Sequence, residues 1–264
     1  MIRVGVVGAL GKMGRMVCAA VADDPEMHLV GAIDRSREGD AIGPLVGHPK
    51  EDVVVSSQIE MLLQAETEVA VDFTRPGEVM NTIRWAIDHA IHIVVGTTGI
   101  GPAELDDIRR WLEAEGGGSN VIVAPNFSLG AVIAQRFAEE AARYFPAVEI
   151  IEMHQEQKLD APSGTAAATA ERIAKAREES WTGPGEENIP GVRGGDVAGV
   201  RVHSVRLPGL VAHQEMIFGG PGQIVTIRHD ALDRASYMPG VLMAIKQIAR
   251  RSGLTVGLEP LLGL

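Results

Sequence analysis

The chain opens on a nearly continuous apolar run, Ile-Arg-Val-Gly-Val-Val at residues 2–7. Such a run predicts a strand buried on both faces, as in a parallel sheet covered by helices. It stops at a glycine-rich turn from Gly8 and gives way to a helical apolar repeat through Val21. The alternation then recurs. Apolar strands are predicted at 29–33, 52–55, 68–73, 92–95 and 121–124, with helical repeats near 59–64, 78–89 and 102–115. Strand, helix, strand at this spacing predicts right-handed crossovers and a parallel sheet.

After Asn126 the pattern changes. A helical repeat at 128–144 leads to a loosely alternating strand from Val148 to His154, and then to a helix from Ser163 to about Arg177. Residues 180–199 are rich in Gly, Pro and Glu and predict a long surface loop. Three strands follow at 200–207, 211–218 and 223–228. Their short Gly- and Pro-bearing connections predict antiparallel strands. A helix at 239–250 and a short strand near 255–258 close the pattern. The predicted fold class is α/β: a Rossmann-type parallel-sheet domain plus an α+β substrate and oligomerisation domain with an open mixed sheet. The first spans 1–126 and is completed by 237–264, and the second spans 127–236. Open sheet edges and faces are usually covered, which predicts a homo-oligomer.

Composition narrows the function. The 264 residues carry a net charge of −11, which argues against non-specific nucleic-acid binding. The single cysteine, Cys18, cannot form an internal disulfide and falls inside the first helical repeat, where it reads as a packed apolar residue. No leader-like start and no apolar run of about 18 residues is seen, so a cytoplasmic protein with no membrane span is expected. His203, His213 and His229 match no zinc spacing, and no metal is expected.

The first turn is Gly8-Ala-Leu-Gly11-Lys12-Met13-Gly14, with a strand before it and a helix after it. Glycines there allow a tight turn, close approach of backbone to a pyrophosphate, and close packing of helix on strand. Asp34 stands at the end of the second predicted strand, where an acid accepts from an adenosine ribose hydroxyl. Arg35 follows and is suited to a 2′-phosphate. NADH and NADPH therefore both stay open.

The densest chemistry lies between His154 and Thr165, His-Gln-Glu-Gln-Lys-Leu-Asp-Ala-Pro-Ser-Gly-Thr. His154 and Lys158 fall where a strand runs out into a loop. Ser163 is suited to cap the following helix, whose start, with Gly164 and Thr165, favours an anion. A lysine beside that start supplies a full charge. Together these features suit a site that holds a carboxylate and delivers a proton next to it.

This string resembles the signature of the dihydrodipicolinate reductase family, Glu-x-His-His-x-x-Lys-x-Asp-Ala-Pro-Ser-Gly-Thr-Ala. Glu152, His154, Lys158, Asp160 and the run from Ala161 to Ala166 match, while Gln155 stands where the second histidine is expected. Asp72-Phe73-Thr74, Gly96-Thr97-Thr98-Gly99 and Ala124-Pro125-Asn126-Phe127-Ser128 resemble the family's motifs that line the nicotinamide pocket. The resemblance covers essentially the whole chain. It implies hydride transfer from NADH or NADPH to 4-hydroxy-tetrahydrodipicolinate in the diaminopimelate route to lysine. It also implies a small cyclic dicarboxylate as ligand and a homotetramer built on the second domain. His154 is expected to donate the proton and Lys158 to hold substrate and stabilise charge, with Gln155, Ser163, Gly164 and Thr165 in substrate binding. Glutamine hydrogen-bonds but carries no charge, which leaves two alternatives open. One is a related reductase acting on another cyclic imine. The other is a nucleotide-binding regulator with an inactive site, against which the intact His154 and Lys158 count.

Overall fold

The structure, a computed structural model, describes residues 1–179, 181, 183 and 185–264. It divides into two compact units, Met1–Phe127 with Tyr237–Leu264, and Ser128–Ser236.

The first unit runs β1 (Ile2–Val7), α1 (Lys12–Asp23), β2 (Met27–Ile33), α2 (Gly43–Val46), β3 (Val55–Ser56), α3 (Met61–Gln64), β4 (Val69–Asp72), α4 (Pro76–Asp88), β5 (His92–Val95), α5 (Pro102–Ala114) and β6 (Val121–Val123). The second unit follows with α6 (Leu129–Ala142), β7 (Ala147–His154), α7 (Gly164–Ala176), β8 (Gly195–Val197), β9 (Val200–Arg206), β10 (Ala212–Gly220) and β11 (Gln223–Ala231). The chain then returns to the first unit as α8 (Met238–Ile248), β12 (Leu254–Val256) and α9 (Glu259–Leu262).

In the first unit all seven strands are parallel, in the order β12-β6-β5-β4-β1-β2-β3. Helices cover both faces, which is why the strands read as continuous apolar runs. Ile83 and Ile87 of α4 and Ile108 and Leu112 of α5 pack with Ile93, Val95 and Val121 in one core. α1 and α8 lie together and bury Val17, Val21, Val241, Ala244 and Ile245. The strand order reverses between β1 and β4, and the crevice beyond the carboxyl ends at such a point is where ligands of these sheets bind. The Phe73 N–H donates to the Val7 carbonyl at 3.1 Å and locks these two strand ends together.

The second unit is a mixed sheet, ordered β11-β10-β7-β9-β8. α6 and α7 pack on one face over Val148, Ile150, Val202, Met216 and Phe218. Their contact positions are alanines (Ala134, Ala138, Ala166, Ala170), so the helices sit close to the strands. The other face mixes polar and apolar side chains, Glu149, Ile151 and Met153 on β7 and His203 and Val205 on β9.

Three sequence expectations change. β9 and β10 run antiparallel but do not pair: β7 lies between them, parallel to β9 and antiparallel to β10, and only β10 and β11 form a hairpin. The Leu207 N–H bonds the His154 carbonyl at 3.1 Å, which carries the chain across the end of β7. Residues 180, 182 and 184 of the expected loop at 180–199 lie outside the described residues. The far end of that loop is the strand β8, hairpinned onto β9 through Ala198 and Gly199 at φ 53° and 80°, the geometry of a tight hairpin turn. The strand expected at 52–55 is only Val55–Ser56.

Candidate active site

At the nucleotide end, β1 breaks at Gly8, whose φ of +79° is open to glycine. A Cβ on Gly8 would come 2.8 Å from the Phe73 carbonyl oxygen, and one on Gly14 would come 2.0 Å from the Gly8 oxygen. Only glycines let α1 start this close to the turn. The helix has Gly11 at its cap and no side-chain cap bond. The first-turn N–H groups of Lys12, Met13 and Gly14 have no intrahelical partner, an arrangement that suits an anion.

Asp34 follows β2. Its carboxylate accepts from the Leu10 N–H at 3.0 Å, the Ser36 N–H at 3.0 Å and the Ser36 hydroxyl at 2.7 Å. Partial burial would raise its pKa, but these bonds and the charge of Arg15 outweigh burial and hold it below the usual carboxylate value. Arg35 is exposed and pairs with Glu78 at 3.0 Å. A cavity of about 790 Å³ is lined by Gly8, Gly11, Asp34, Arg35, Phe73 and Thr74, together with Ser57, Gln58, Ile59 and Glu60 after β3 and Glu78, Asn81, Thr82 and Trp85 of α4. The glycine cradle, the uncapped helix start and the ionised acid over one cavity fit a nicotinamide dinucleotide. The eight residues after β3 and on α4 carry no sequence signal: they become neighbours of the glycine turn only through the sheet order.

The other expected cofactor residues sit at strand ends. Phe73 packs on Phe127, with centroids 5.8 Å apart. A Cβ on Gly96 would fall 2.1 Å from the Phe73 ring. Ala124 is buried, Asn126 half-buried and Thr98 exposed. Gly96, Thr98, Ala124, Asn126 and Phe127 do not line the cavity. Beside them Asp72 is fully buried. Its Oδ1 accepts from the Thr74 N–H and hydroxyl and the Thr97 hydroxyl at 2.8–2.9 Å, while Oδ2 has no partner among the described residues.

In the second unit, β7 delivers His154 to the edge of a loop. Glu152, two residues back on the same face, is fully buried, and its Oε2 lies 2.5 Å from His154 Nδ1. Arg206, opposite His154 on β9, meets both carboxylate oxygens at 2.8 and 3.0 Å. Burial alone would raise the Glu152 pKa. The bonds from His154, Arg206 and Ser204, with the charge of Arg206, pull it down to about 2. Asp160 lies 2.8 Å from the Lys158 ammonium, a pairing of residues two apart in the chain. Ser163 caps α7: its hydroxyl accepts from the Ala166 N–H at 3.2 Å, and its own N–H donates to Glu152 at 3.3 Å. Gly164 and Thr165 form the first turn. Gln135 and Gln214 both donate to the Thr169 hydroxyl at 2.8 Å, which fastens that turn to α6 and β10. Gln155 is half-buried in the loop.

The other three histidines of the second unit go to separate partners: His203 to Glu149, His213 to Asp230, and His229 to Ser128. Among the described residues no group of three or more His, Cys, Asp or Glu is placed to hold a metal, and no helix is long and apolar enough to cross a membrane.

A glycine turn and acid at the switch point of a doubly wound sheet, joined to a second unit that presents an imidazole, a lysine and a helix start, define a nicotinamide-dependent oxidoreductase. The comparisons with known proteins specify it further. Residues 2–127 match the family model of the dihydrodipicolinate reductase N-terminus, and residues 130–262 match that of its C-terminus. The chain belongs to the dihydrodipicolinate reductase family, whose members use NADH or NADPH. It is 49% identical to the 4-hydroxy-tetrahydrodipicolinate reductase of Nocardia farcinica, over 100% of this chain and 99% of that one. It is 47% identical to that of Mycolicibacterium vanbaalenii, over 99% of each. A dipicolinate-bound dihydrodipicolinate reductase from Paenisporosarcina sp. TG-14 superposes with a TM-score of 0.86 at 40% identity, covering 98% of this chain and 99% of that one. An amine dehydrogenase from Mycobacterium smegmatis shares the fold at a TM-score of 0.67 and 13% identity, covering 95% of this chain and 93% of that one.

Proposed function

We propose that this chain reduces 4-hydroxy-tetrahydrodipicolinate to tetrahydrodipicolinate in the diaminopimelate route to lysine, in the cytoplasm and as a homotetramer. The observation that carries the reading is His154, held by an ionised Glu152 beside Lys158 and the start of α7. The names of the full-length relatives and the dipicolinate held by the Paenisporosarcina protein support the substrate class.

The substrate loses its 4-hydroxyl as water and presents a conjugated C=C–C=N system. A reduced nicotinamide, when bound, would supply the hydride that this conjugated system accepts. Gly8, Gly11, Lys12, Met13 and Gly14 would take the pyrophosphate and Asp34 the adenosine ribose. Phe73, Thr74, Gly96, Thr98, Ala124, Asn126 and Phe127 are the residues proposed for the nicotinamide end.

Hydride addition leaves electron density along the conjugated system, and a ring carbon must then take a proton. His154 donates it through Nε2, passing from the doubly protonated ring to the form protonated at Nδ1 alone. Lys158 exchanges Asp160 for a substrate carboxylate and stabilises the developing charge. The N–H groups of Gly164 and Thr165 hold the same carboxylate, with the helix dipole behind them. Gln155 gives this carboxylate a neutral partner. The mixed polar and apolar outer face of the second sheet is the surface proposed for tetramer assembly.

Oxidation of NADH and NADPH by the purified protein with freshly made substrate tests this, with the product identified by mass spectrometry. His154→Ala should slow kcat about 10²–10⁴-fold, and Lys158→Met about 10²–10³-fold. Faster reduction of a cyclic imine lacking the second carboxylate would replace the substrate. Native turnover in both variants would remove the mechanism.

A further inference from the structure

We infer that Glu152 and Arg206 are the positioning pair of this site, Glu152 setting the orientation and tautomer of His154 and Arg206 tying down the loop that carries Lys158. The inference rests on the roles proposed above for His154 and Lys158.

Glu152 has no exposed surface, and besides the Ser204 side chain four donors converge on it. They are His154 Nδ1 at 2.5 Å, the two terminal nitrogens of Arg206 at 2.8 and 3.0 Å, and the Ser163 N–H at 3.3 Å. An ionised carboxylate only accepts, so the Nδ1 proton must point at it. Nε2 is then the one ring nitrogen left to exchange a proton with a substrate. Without the carboxylate neither the ring plane nor the tautomer is specified.

Arg206 does a second job. Its Nη2 donates to the Asp160 carbonyl at 2.6 Å and its Nε to the Lys158 carbonyl at 3.3 Å. One guanidinium therefore joins the acid under His154 to the backbone on either side of Leu159, a side chain that is 98% exposed and anchors nothing. A lysine could neutralise Glu152 but could not span these sites, because only the planar fork of arginine carries donors in several fixed directions. Apolar residues in place of both partners could supply comparable stability, since buried ion pairs are commonly replaced in this way at no loss. Its residence here fits a demand for geometry.

The two halves separate by experiment. Glu152→Gln keeps the shape and removes the acceptor-only carboxylate. It should lower kcat about 10²-fold or more, with KM changed less than about threefold. Imidazole ¹⁵N spectra should pass from a single Nδ1–H form of His154 to mixed tautomers. Arg206→Lys keeps the charge and should fold even where Glu152→Gln does not. It should leave the His154 spectrum unchanged and raise KM about tenfold through a looser Lys158. The NADH dissociation constant, read on the other unit, should stay native in both variants and serves as the fold control. A native kcat with an unchanged spectrum in Glu152→Gln would overturn the first half. A native KM in Arg206→Lys would overturn the second. Equal losses of kcat and KM in both variants would mean a merely structural pair. His154→Ala measured alongside keeps the two readings apart. A slow Ala variant beside an unimpaired Glu152→Gln removes the positioning role alone, while a fast Ala variant removes the donor role on which it rests.

Discussion

If Arg35 reads a 2′-phosphate, cofactor choice turns on an ion pair that Arg35 makes within the protein. Arg35 is the residue suited to a 2′-phosphate, yet its guanidinium is held 3.0 Å from Glu78, in the first turn of α4. NADPH must draw Arg35 away from Glu78 and then sit beside both Glu78 and Asp34. The pair is largely exposed, so separating it costs only about 0–1 kcal/mol. A phosphate bridged by Arg35 would lie about 6 Å from the Glu78 carboxylate, where one unit of like charge costs about 0.7 kcal/mol in water and a near-dianion roughly 1 kcal/mol. Glu78→Gln removes both penalties. It should tighten NADPH by about 1–2 kcal/mol, roughly 5–30-fold, and move NADH less than about twofold. Arg35→Ala should do the reverse, weakening NADPH by about 1–2 kcal/mol for a lost charge-assisted bond. Both dissociation constants are read by titrating nicotinamide fluorescence at low and high salt, and screening should shrink the Glu78 effect at high salt. A ratio of the two constants unchanged in both variants, or two cofactors that shift together, would refute this reasoning.

Three further outcomes follow from single contacts. Gln155→His should improve KM for the dicarboxylate more than kcat, since it adds a partner for bound substrate rather than for the reacting centre; steady-state kinetics with both parameters resolved checks this. Gly14→Ala should weaken NADH at least tenfold and lower stability by about 1–3 kcal/mol, because its Cβ would come 2.0 Å from the Gly8 oxygen; fluorescence titration and urea unfolding read the two effects. The Glu152 carboxyl falls from 4.5 to about 2 on folding. A depressed acid stabilises the fold above its unfolded value, so on the order of 3 kcal/mol should be present near neutrality and lost as pH falls from 4.5 toward 2; urea midpoints should show this slope in the native chain and a flatter one in Glu152→Gln.

The parallel sheet was legible because burial on both faces forces continuous apolar strands, and β1 and β5 begin and end where the pattern does. The start of α7 was legible through chemistry local to a few residues, with Ser163 suited to its cap. Register was not. That β7 separates β9 from β10, and that Arg206 therefore faces His154, depends on pairings between distant segments. The same gap hid Arg206 from the site, although Glu152 was within reach: an acid two residues before a histidine on one strand shares its face. β8 escaped because three residues in a glycine-rich stretch leave no period to read.

The chain leaves the nucleotide unit after Phe127 and re-enters it at Tyr237, which gives its synthesis an order. β6 is made early, but its outer neighbour β12 comes only after the whole of the other unit. Asn120 waits as well, since its side chain bonds the Ile248 carbonyl and the Gly253 N–H. A nascent chain halted before residue 254 presents a bare edge on β6, and one halted before α8 also exposes the face that Val241 and Ile245 cover. Unpaired parallel edges are slow to close and prone to aggregate. Of the two units, the first is therefore the one whose sheet and helix layer can be completed only after the other has been made.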